Sequence, residues 1–224
     1  MPLRIDVGTR PGPDRSRGVT AAAAAARRGE LLVFPTESMY AVAADPFSPR
    51  GIRALRDVKG RGSALPVPVL VGAIRTVDGL ATGIAADGRA LIEAAWPGPL
   101  TLIVRAQPTL AWDLGGTSGT ISVRMPLHPV ALDVLAATGP LAATGAQRSG
   151  SVAPRSCAEA EEHLGDAVSV YLDGGPAPAE LPSTVVDLTG PVPTLLREGG
   201  FPADVLREVC PDLVGPDLRD SDEG

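Results

Sequence analysis

Short apolar runs, each closed within a few residues by proline or glycine, set the main limit on how this chain can fold. The 224 residues include 26 glycines and 23 prolines, the two residue types that most often interrupt regular structure. LLVFP at 31–35 and SVYLD at 169–173 are typical of buried strands, whereas TAAAAAARRG at 20–29 and SPRGIRALRDVKG at 48–60 are typical of helices. Strands and helices mix without strict alternation, which predicts one α/β domain with a mixed sheet.

The ends of several elements can be placed from local chemistry. Thr20 is predicted to cap the first helix, and Ser48 is predicted to cap the second, which Gly60 ends. The segment PVPVLVG at 66–72 carries two prolines and is predicted to be an edge or irregular strand. The chain therefore divides into three predicted regions: a strand and loop at 1–17, the folded domain at 18–209, and an acidic, disordered tail at 210–224.

Composition argues against several functional classes. The net charge of −6 and the isoelectric point near 5.0 give no overall basic field, so charge does not support RNA binding. His128, His163, Cys157 and Cys210 form no metal-binding or triad pattern, and the sequence contains neither a P-loop nor a dinucleotide-binding fingerprint. With no signal-peptide pattern and no apolar run of spanning length, we expect a cytoplasmic protein without membrane association.

Lys59 is the only lysine in the chain, and the other nineteen basic residues are all arginine. It lies at the C-terminal end of the predicted second helix, where the helix dipole alone favours a cation. Lys59 taken by itself is therefore weak evidence for a functional site. It gains weight from the polar residues that follow other short strands.

Polar and cationic residues recur in the loops where the predicted strands end. Ligands in α/β sheets bind at such strand ends. The polar and cationic residues of these loops are Thr36, Glu37, Ser38, Tyr40, Lys59, Arg61, Ser63, Thr120, Arg124, the turn at 145–150, Ser183, Thr184 and Arg197. Several cations gathered with hydroxyl groups would bind phosphate and carboxylate, and could orient a triphosphate for attack at its α-phosphorus. Such chemistry depends on alignment and charge stabilisation and requires no side-chain nucleophile.

The order of these motifs resembles the YrdC-like family of threonylcarbamoyl-AMP synthases. The resemblance rests on FPTESMYAVAAD, KGRG, WPGPLTLIV, ISVRMPLHPVA, ATGAQRSGSVAP, STVVDL and LLREG, which cover roughly residues 18–209 in the family's order. It implies a single domain with a twisted open sheet, flanking helices and a concave basic pocket. It also implies a nucleotidyltransferase that makes threonylcarbamoyl-AMP from threonine, bicarbonate and ATP, with Mg²⁺, and releases pyrophosphate. The product would pass to a downstream carbamoyl transferase for modification of a tRNA adenosine.

The resemblance also implies roles for individual residues. Lys59 and Arg61 would be catalytic through binding of the ATP phosphates, with Lys59 serving as a mobile point charge. The amino acid would contact Thr36, Tyr40, Arg124, Ser183 and Thr184. The nucleotide would be lined by Lys59, Arg61, Ser63, Thr120, Gly145, Gln147, Ser151 and Arg197. No protein ligand for a metal ion is implied.

Two motifs depart from the family pattern and leave alternatives open. Ala41 and Ala43 replace glycines of the first motif, and Gly145-Ala146-Gln147 replaces a Ser-Ala-Asn turn. If position 41 or 43 needs a positive φ, alanine there costs about 1 kcal/mol of stability. If the changed turn loses a buried hydrogen bond, the loss costs about 1–3 kcal/mol. The main hypothesis is a threonylcarbamoyl-AMP synthase. The alternatives are a paralogue that adenylates the carbamate of another amine, and a non-catalytic module that binds nucleotide or RNA.

Overall fold

The computed structural model describes residues 1–8, 10–60, 66–116, 119–178 and 181–215. Its α-helices are α1 (Pro13–Arg27), α2 (Pro49–Lys59), α3 (Val77–Leu80), α4 (Ala86–Ala95), α5 (Pro129–Thr138), α6 (Cys157–Leu164) and α7 (Ala203–Val209). Its strands are β1 (Leu3–Asp6), β2 (Leu32–Pro35), β3 (Tyr40–Ala44), β4 (Val69–Leu70), β5 (Ala81–Thr82), β6 (Leu100–Ala106), β7 (Thr120–Arg124), β8 (Leu141–Gly145), β9 (Val170–Asp173), β10 (Thr184–Asp187) and β11 (Thr194–Arg197). In the ranges described, no helix is both long and apolar enough to cross a membrane.

These strands form one mixed sheet, as the sequence predicts. The order is β1-β9-β2-β3-β8-β4-β7-β6-β10-β11, and β5 pairs with β6 outside this path. The pairs β1/β9, β9/β2, β4/β7 and β6/β10 are parallel, whereas the remaining pairs are antiparallel. The chain therefore crosses the sheet repeatedly, and loops distant in sequence become neighbours.

Successive side chains from Leu31 to Phe34, in and just before β2, pack into two different apolar clusters. Leu31 and Val33 belong to a large cluster with α2, α4, α6 and α7, while Leu32 and Phe34 belong to a smaller cluster with α1 and α5. This alternation is the period of two that a pleated strand imposes when both faces are covered. From β1 to β4 in the sheet order, the strands thus lie between two layers of helices.

The smaller cluster covers only part of its face. Its buried strand residues come from β1, β2, β3, β4, β8 and β9, and none in the described part of the chain comes from β6, β7, β10 or β11. Leu70 is its last member in the direction of β7, and it pairs directly with Arg124. Beyond this pair the same face carries polar side chains.

Both ends of the folded region differ from the sequence-based prediction. Helix α1 begins at Pro13 after Gly12, so Thr20 lies inside the helix, where its hydroxyl donates to the carbonyl of Ser16 at 2.9 Å. Proline is favourable at the first position of a helix, and this signal outweighs the polar side chain at position 20. Residues 210–215 were assigned to a disordered tail, yet Leu213 is buried and Val214 bridges to Thr194 of β11. Residues 216–224 lie outside the described residues.

The proline-containing strand β4 is interior rather than at an edge, so the edge alternative is wrong, whereas its length of two residues agrees with the irregular alternative. Only Val69 and Leu70 form the strand, and they pair with β7 on one side and β8 on the other. Pro68 precedes them and contributes its carbonyl, which accepts from the Ala143 amide at 2.9 Å. Proline is compatible with an interior strand when its missing N–H lies before the paired residues.

Helix α2 follows the prediction from its capping residues. The hydroxyl of Ser48 accepts from the Gly51 amide at 3.1 Å, Pro49 occupies the first turn, and Gly60 takes a left-handed conformation at the C-terminal end. The apolar face of α2 packs on β3 through Ile52 and Leu55. The helix therefore delivers Lys59, its last residue, toward the end of the neighbouring strand β8.

Gly18 supports a prediction about the packing of α1 on the sheet. A Cβ at this position would lie 2.6 Å from Val7 Cγ1 and 3.1 Å from Leu172 Cδ2. We expect Gly18→Ala to lower the free energy of unfolding by about 1–3 kcal/mol, because overpacking outweighs the gain in helix propensity. Gly79→Ala is the matched control, since nothing lies within 4 Å of its Cβ position. Urea denaturation of both variants tests this, and equal stabilities would contradict it.

Candidate functional site

The loop from Thr36 to Met39 joins β2 to β3 and lies at the centre of the candidate site. The Thr36 hydroxyl donates to the Met39 carbonyl at 2.7 Å and accepts from the amides of Ser38 and Met39. Thr36 and Ser38 are both buried. Thr36 therefore fixes the loop's shape from inside, as hydroxyl residues do in tight turns.

Glu37 and Arg124 form a nearly buried ion pair beside this loop. Arg124 donates to a Glu37 carboxylate oxygen and, at 3.3 Å, to the Gly98 carbonyl. The other carboxylate oxygen of Glu37 accepts from the Leu127 amide at 3.0 Å. Burial lowers the pKa of Arg124 to about 10, and the nearby charge of Arg197 acts in the same direction. The guanidinium still remains charged at neutral pH.

A chain of polar contacts continues from Arg124 across the part of the sheet face that α1 and α5 do not cover, called here the uncovered face. Thr101 precedes Leu102, the β6 partner of Val123, and so lies beside Arg124 in the sheet. Its hydroxyl is 2.8 Å from that of Ser183, and Arg197 donates to the Ser183 carbonyl at 2.9–3.0 Å. Two guanidinium groups and two hydroxyls are thereby brought to one face, although Arg124, Ser183 and Arg197 come from separate segments of the chain.

Lys59 contacts the turn that follows β8. Its side chain is 3% exposed, and Nζ donates to the Gly145 carbonyl at 2.7 Å and to the Gln147 carbonyl. The Ser149 hydroxyl donates in turn to the Lys59 carbonyl at 2.6 Å. The ammonium is therefore held in place, and the expectation of a mobile point charge is wrong for this structure. A compact ammonium suits two converging carbonyls better than a planar guanidinium does.

Two hydroxyl residues expected to contact the amino acid lie in the core instead. Tyr40 is fully buried, and its hydroxyl donates to the Gly175 carbonyl at 2.6 Å and accepts from the Gly174 amide at 3.1 Å. The hydroxyl of Thr184 donates to the Phe201 carbonyl at 2.6 Å and accepts from the amides of Gly199 and Phe201. Burial and hydrogen bonds to other segments of the chain commit both side chains to holding loops, which a sequence pattern does not reveal.

The remaining predicted site residues are spread more widely. Thr120 shares a face of β7 with Arg124 but lies at its other end, about 13 Å away at roughly 3.3 Å per residue, paired with Arg105. Ser151 is exposed in the loop after the 145–147 turn. Arg61 and Ser63 lie outside the described residues.

Glu37 and Ser149 belong to the strand-end loops singled out from the sequence, although no individual contact was predicted for either. Thr101 was missed, because its partner Ser183 is 82 residues away in the chain and gives no local signal.

The alanines at 41 and 43 occupy regular strand positions. Both lie in β3, which pairs with β2 and with β8, and both are buried in the smaller apolar cluster. An extended strand does not require positive φ. Their methyl groups therefore fill the core under α1 and α5, and the backbone strain considered from the sequence does not apply.

Taken together, the described residues provide two adjoining groups on either side of the Thr36–Met39 loop. One contains Arg124, Ser183 and Arg197 and suits a carboxylate, which binds a guanidinium fork and a hydroxyl. The other is the Lys59-bound turn at 145–147. No cluster of three metal-ligating side chains occurs among the described residues.

Comparison with known proteins gives a consistent family. The sequence model of the Sua5/YciO/YrdC family, described as telomere recombination, matches residues 24–199. A Mycobacterium tuberculosis protein provisionally named threonylcarbamoyl-AMP synthase is 45% identical over 195 residues, covering 87% of this chain and 90% of the relative. The threonylcarbamoyl-AMP synthase of Thiobacillus denitrificans is 31% identical, covering 72% of this chain and 86% of the relative.

Solved structures agree on the fold. Pyrococcus abyssi Sua5 complexed with L-threonine superposes with a TM-score of 0.89 at 30% identity, covering 95% of this chain and 62% of the longer P. abyssi chain. Escherichia coli YciO gives a TM-score of 0.82 at 22% identity, covering 92% of this chain and 100% of YciO, and supports the fold alone. On the strength of the family match and the 45% identical relative, the chain belongs to the Sua5/YciO/YrdC family.

Proposed function

We propose that this protein synthesises threonylcarbamoyl-AMP from threonine, bicarbonate and ATP, with release of pyrophosphate. The observation that carries the proposal is the convergence of Arg124, Ser183 and Arg197 on the uncovered face, beside the turn held by Lys59. An α-carboxylate and a triphosphate are both anionic, and these groups can bind one of each. The relatives named as threonylcarbamoyl-AMP synthases support the same activity.

Threonine would bind through its carboxylate to the Arg124 guanidinium, with the Ser183 hydroxyl donating nearby. Glu37 already occupies part of the Arg124 fork and fixes its orientation, because the Leu127 amide holds the Glu37 carboxylate in turn. Arg197 adds a second guanidinium, so Arg124, Glu37 and Arg197 together carry a net positive charge. A named relative of known structure, P. abyssi Sua5, was crystallised with L-threonine, which agrees with this choice of amino acid.

ATP would bind against the turn at 145–147 as its magnesium complex. Mg²⁺ is commonly held by substrate phosphates and water with few protein ligands, and the described residues offer no cluster of carboxylates around the turn. Magnesium would therefore enter the site as part of the substrate. Arg61 and Ser63, predicted from the sequence to contact the nucleotide, remain proposals.

The reaction needs alignment more than acid–base groups. Bicarbonate releases hydroxide to form CO₂, and the neutral amine of threonine attacks the CO₂ carbon. The proton lost from the nitrogen combines with the hydroxide as water, which leaves a carbamate. A carbamate oxygen then attacks the α-phosphorus, a P–O bond forms, and the bond from that phosphorus to the pyrophosphate oxygen breaks. The cationic groups offset the negative charges that would otherwise repel each other. A downstream carbamoyl transferase would use the product for tRNA modification in the cytoplasm.

Pyrophosphate release tests the proposed function directly. With MgATP and bicarbonate, we expect purified protein to release pyrophosphate with threonine, and much less with other amino acids and amines. Release with a different amine in place of threonine would favour the paralogue. ATP binding without release across the panel would favour a non-catalytic module, and either outcome contradicts the proposal.

Arg124 supports a prediction about the amino-acid end of the site. We expect Arg124→Lys to raise the KM for threonine about tenfold to a hundredfold, because a lysine keeps the charge but not the two-pronged donor. Arg105→Lys is the control: Arg105 is an exposed arginine on the adjacent strand that donates to the Thr189 carbonyl. Steady-state kinetics with threonine as the varied substrate measures both. Equal KM values for the two variants would contradict the assignment.

Ser183 and Thr184 are adjacent, but we expect substitution of Ser183 to affect mainly threonine binding and substitution of Thr184 to affect mainly stability. We expect Ser183→Ala to raise the KM for threonine about tenfold and to lower the free energy of unfolding by about 1 kcal/mol, because the buried Thr101 hydroxyl loses its partner. Thr184→Val removes a buried hydroxyl with three hydrogen bonds, so we expect about 2–3 kcal/mol of destabilisation. Urea denaturation and kinetics on both variants provide the comparison, and the reverse ranking would overturn it.

A further inference from the structure

Thr101 lies on the uncovered face because of its place in β6. Leu100 and Leu102 on either side of it are buried in the larger apolar cluster, so the alternation of side chains along a strand turns Thr101 the other way. Thr101 pairs with Val185 of β10, and Ser183 lies two residues before Val185. The hydroxyl oxygens of Thr101 and Ser183 are 2.8 Å apart, and both residues are 7% exposed. This buried contact joins two segments that are distant in the chain.

The backbone on which Ser183 stands is held in place by its neighbours. Arg197 Nε and Nη2 donate to the Ser183 carbonyl at 3.0 and 2.9 Å. The amide of Thr184, the next residue, donates to the Pro99 carbonyl at 2.8 Å. With the backbone fixed, the groups around the Ser183 hydroxyl oxygen decide where its hydrogen points.

The Ser183 hydroxyl has two polar neighbours, and together they leave one hydrogen without a protein acceptor. One neighbour is the Thr101 hydroxyl, and the other is Arg197 Nη2 at 3.3 Å, which can only donate. The contact between the two hydroxyls uses one of their two hydrogens. The second hydrogen has no acceptor within the described residues, so one O–H group of the pair is available to an acceptor on a ligand.

The proposed function fixes the direction of this contact. Ser183 has a single hydrogen, so once it donates to the carboxylate of threonine, Thr101 must be the donor within the pair. The Ser183 oxygen then accepts from Thr101 on one side and from Arg197 on the other, which fills both of its acceptor positions. A hydroxyl that accepts hydrogen bonds in this way is also a stronger donor.

We propose that Thr101 is a positioning residue for amino-acid binding, whose hydroxyl donates to Ser183 Oγ and so directs the Ser183 hydrogen at the substrate carboxylate. This inference rests on the proposed function. Ser183 is the residue that touches the substrate, and Thr101 acts through it.

Steady-state kinetics with threonine as the varied substrate tests this role. Thr101→Val keeps the shape of the side chain but removes the donor, so we expect the KM for threonine to rise about fivefold. We expect kcat to stay within about twofold of the parent value, because the carboxylate is bound alike in the ground state and the transition state. Thr101→Ser keeps the hydroxyl, and we expect its KM to lie within about twofold of the parent value. A threonine with a structural role alone would lower the stability of Thr101→Val and leave KM unchanged.

Two further variants separate positioning from general damage. In a Ser183→Ala background Thr101 has no hydroxyl to orient, so there we expect Thr101→Val to leave the KM for threonine unchanged. Thr194→Val is the matched control, because Thr194 is a buried strand threonine whose hydroxyl donates to the Val192 carbonyl at 3.2 Å. We expect this control to keep the parental KM. If Thr101→Val does not fold, Thr101→Ala also lacks the hydroxyl and takes its place.

Three results would overturn the inference. The first is a parental KM in the folded Thr101 variant that lacks the hydroxyl. The second is an equal rise of KM in Thr194→Val. The third is a further fivefold rise when Thr101→Val is added to Ser183→Ala, because the two residues would then act independently.

Isothermal titration calorimetry with threonine distinguishes failure of this inference from failure of the proposed function. A parent protein that releases pyrophosphate with threonine, while Thr101→Val keeps the parental KM, overturns the inference alone. A parent protein that binds threonine without releasing pyrophosphate contradicts the proposed reaction. In that case weaker binding by Thr101→Val and recovery in Thr101→Ser would still support the positioning role. A parent protein that neither binds threonine nor releases pyrophosphate overturns both.

Discussion

Unequal helical cover of the two sheet faces is the constraint on which the candidate site depends. One face is packed along its length by α2, α4, α6 and α7, whereas α1 and α5 cover only the half of the other face that ends at Leu70. The strands beyond that point have a helical layer on one side only. On their other side Thr101, Arg124 and Ser183 are buried among polar partners, and these hydrogen bonds offset the penalty of burying polar groups. The site is therefore a part of the sheet that the fold leaves without a second layer.

The Thr36–Met39 loop connects the two groups of the site mechanically. Glu37 reaches Arg124 in one direction, and the Met39 sulfur lies against the space beside Gly145 in the other. Thr36 fixes the loop between them with a single hydroxyl that makes one donor and two acceptor contacts. A change at either end of this loop would be transmitted to the other group through only a few residues.

The sequence predicted the mixed α/β sheet and the limits of α2, because both depend on local chemistry. Ser48 and Gly60 act within a few residues of themselves, so their roles are visible without tertiary structure. The predicted start of α1 and the edge alternative for β4 were wrong, since each depended on where a proline stood relative to its neighbours. The site residues divide in the same way: Arg124 lies at the candidate site, whereas the hydroxyls of Tyr40 and Thr184 are held by partners far along the chain. Such partners become known only when the fold brings them together.

The burial of the single lysine also determines how the protein reacts with amine-selective reagents. Lys59 is the only lysine of the chain, and its side chain is buried. A succinimidyl ester should therefore react slowly with this lysine in the folded protein. Modification of Lys59 requires its ammonium to leave the carbonyls of Gly145 and Gln147. The extent of that modification then counts how often the junction between α2 and β8 opens, which makes the lone lysine a built-in reporter of local unfolding.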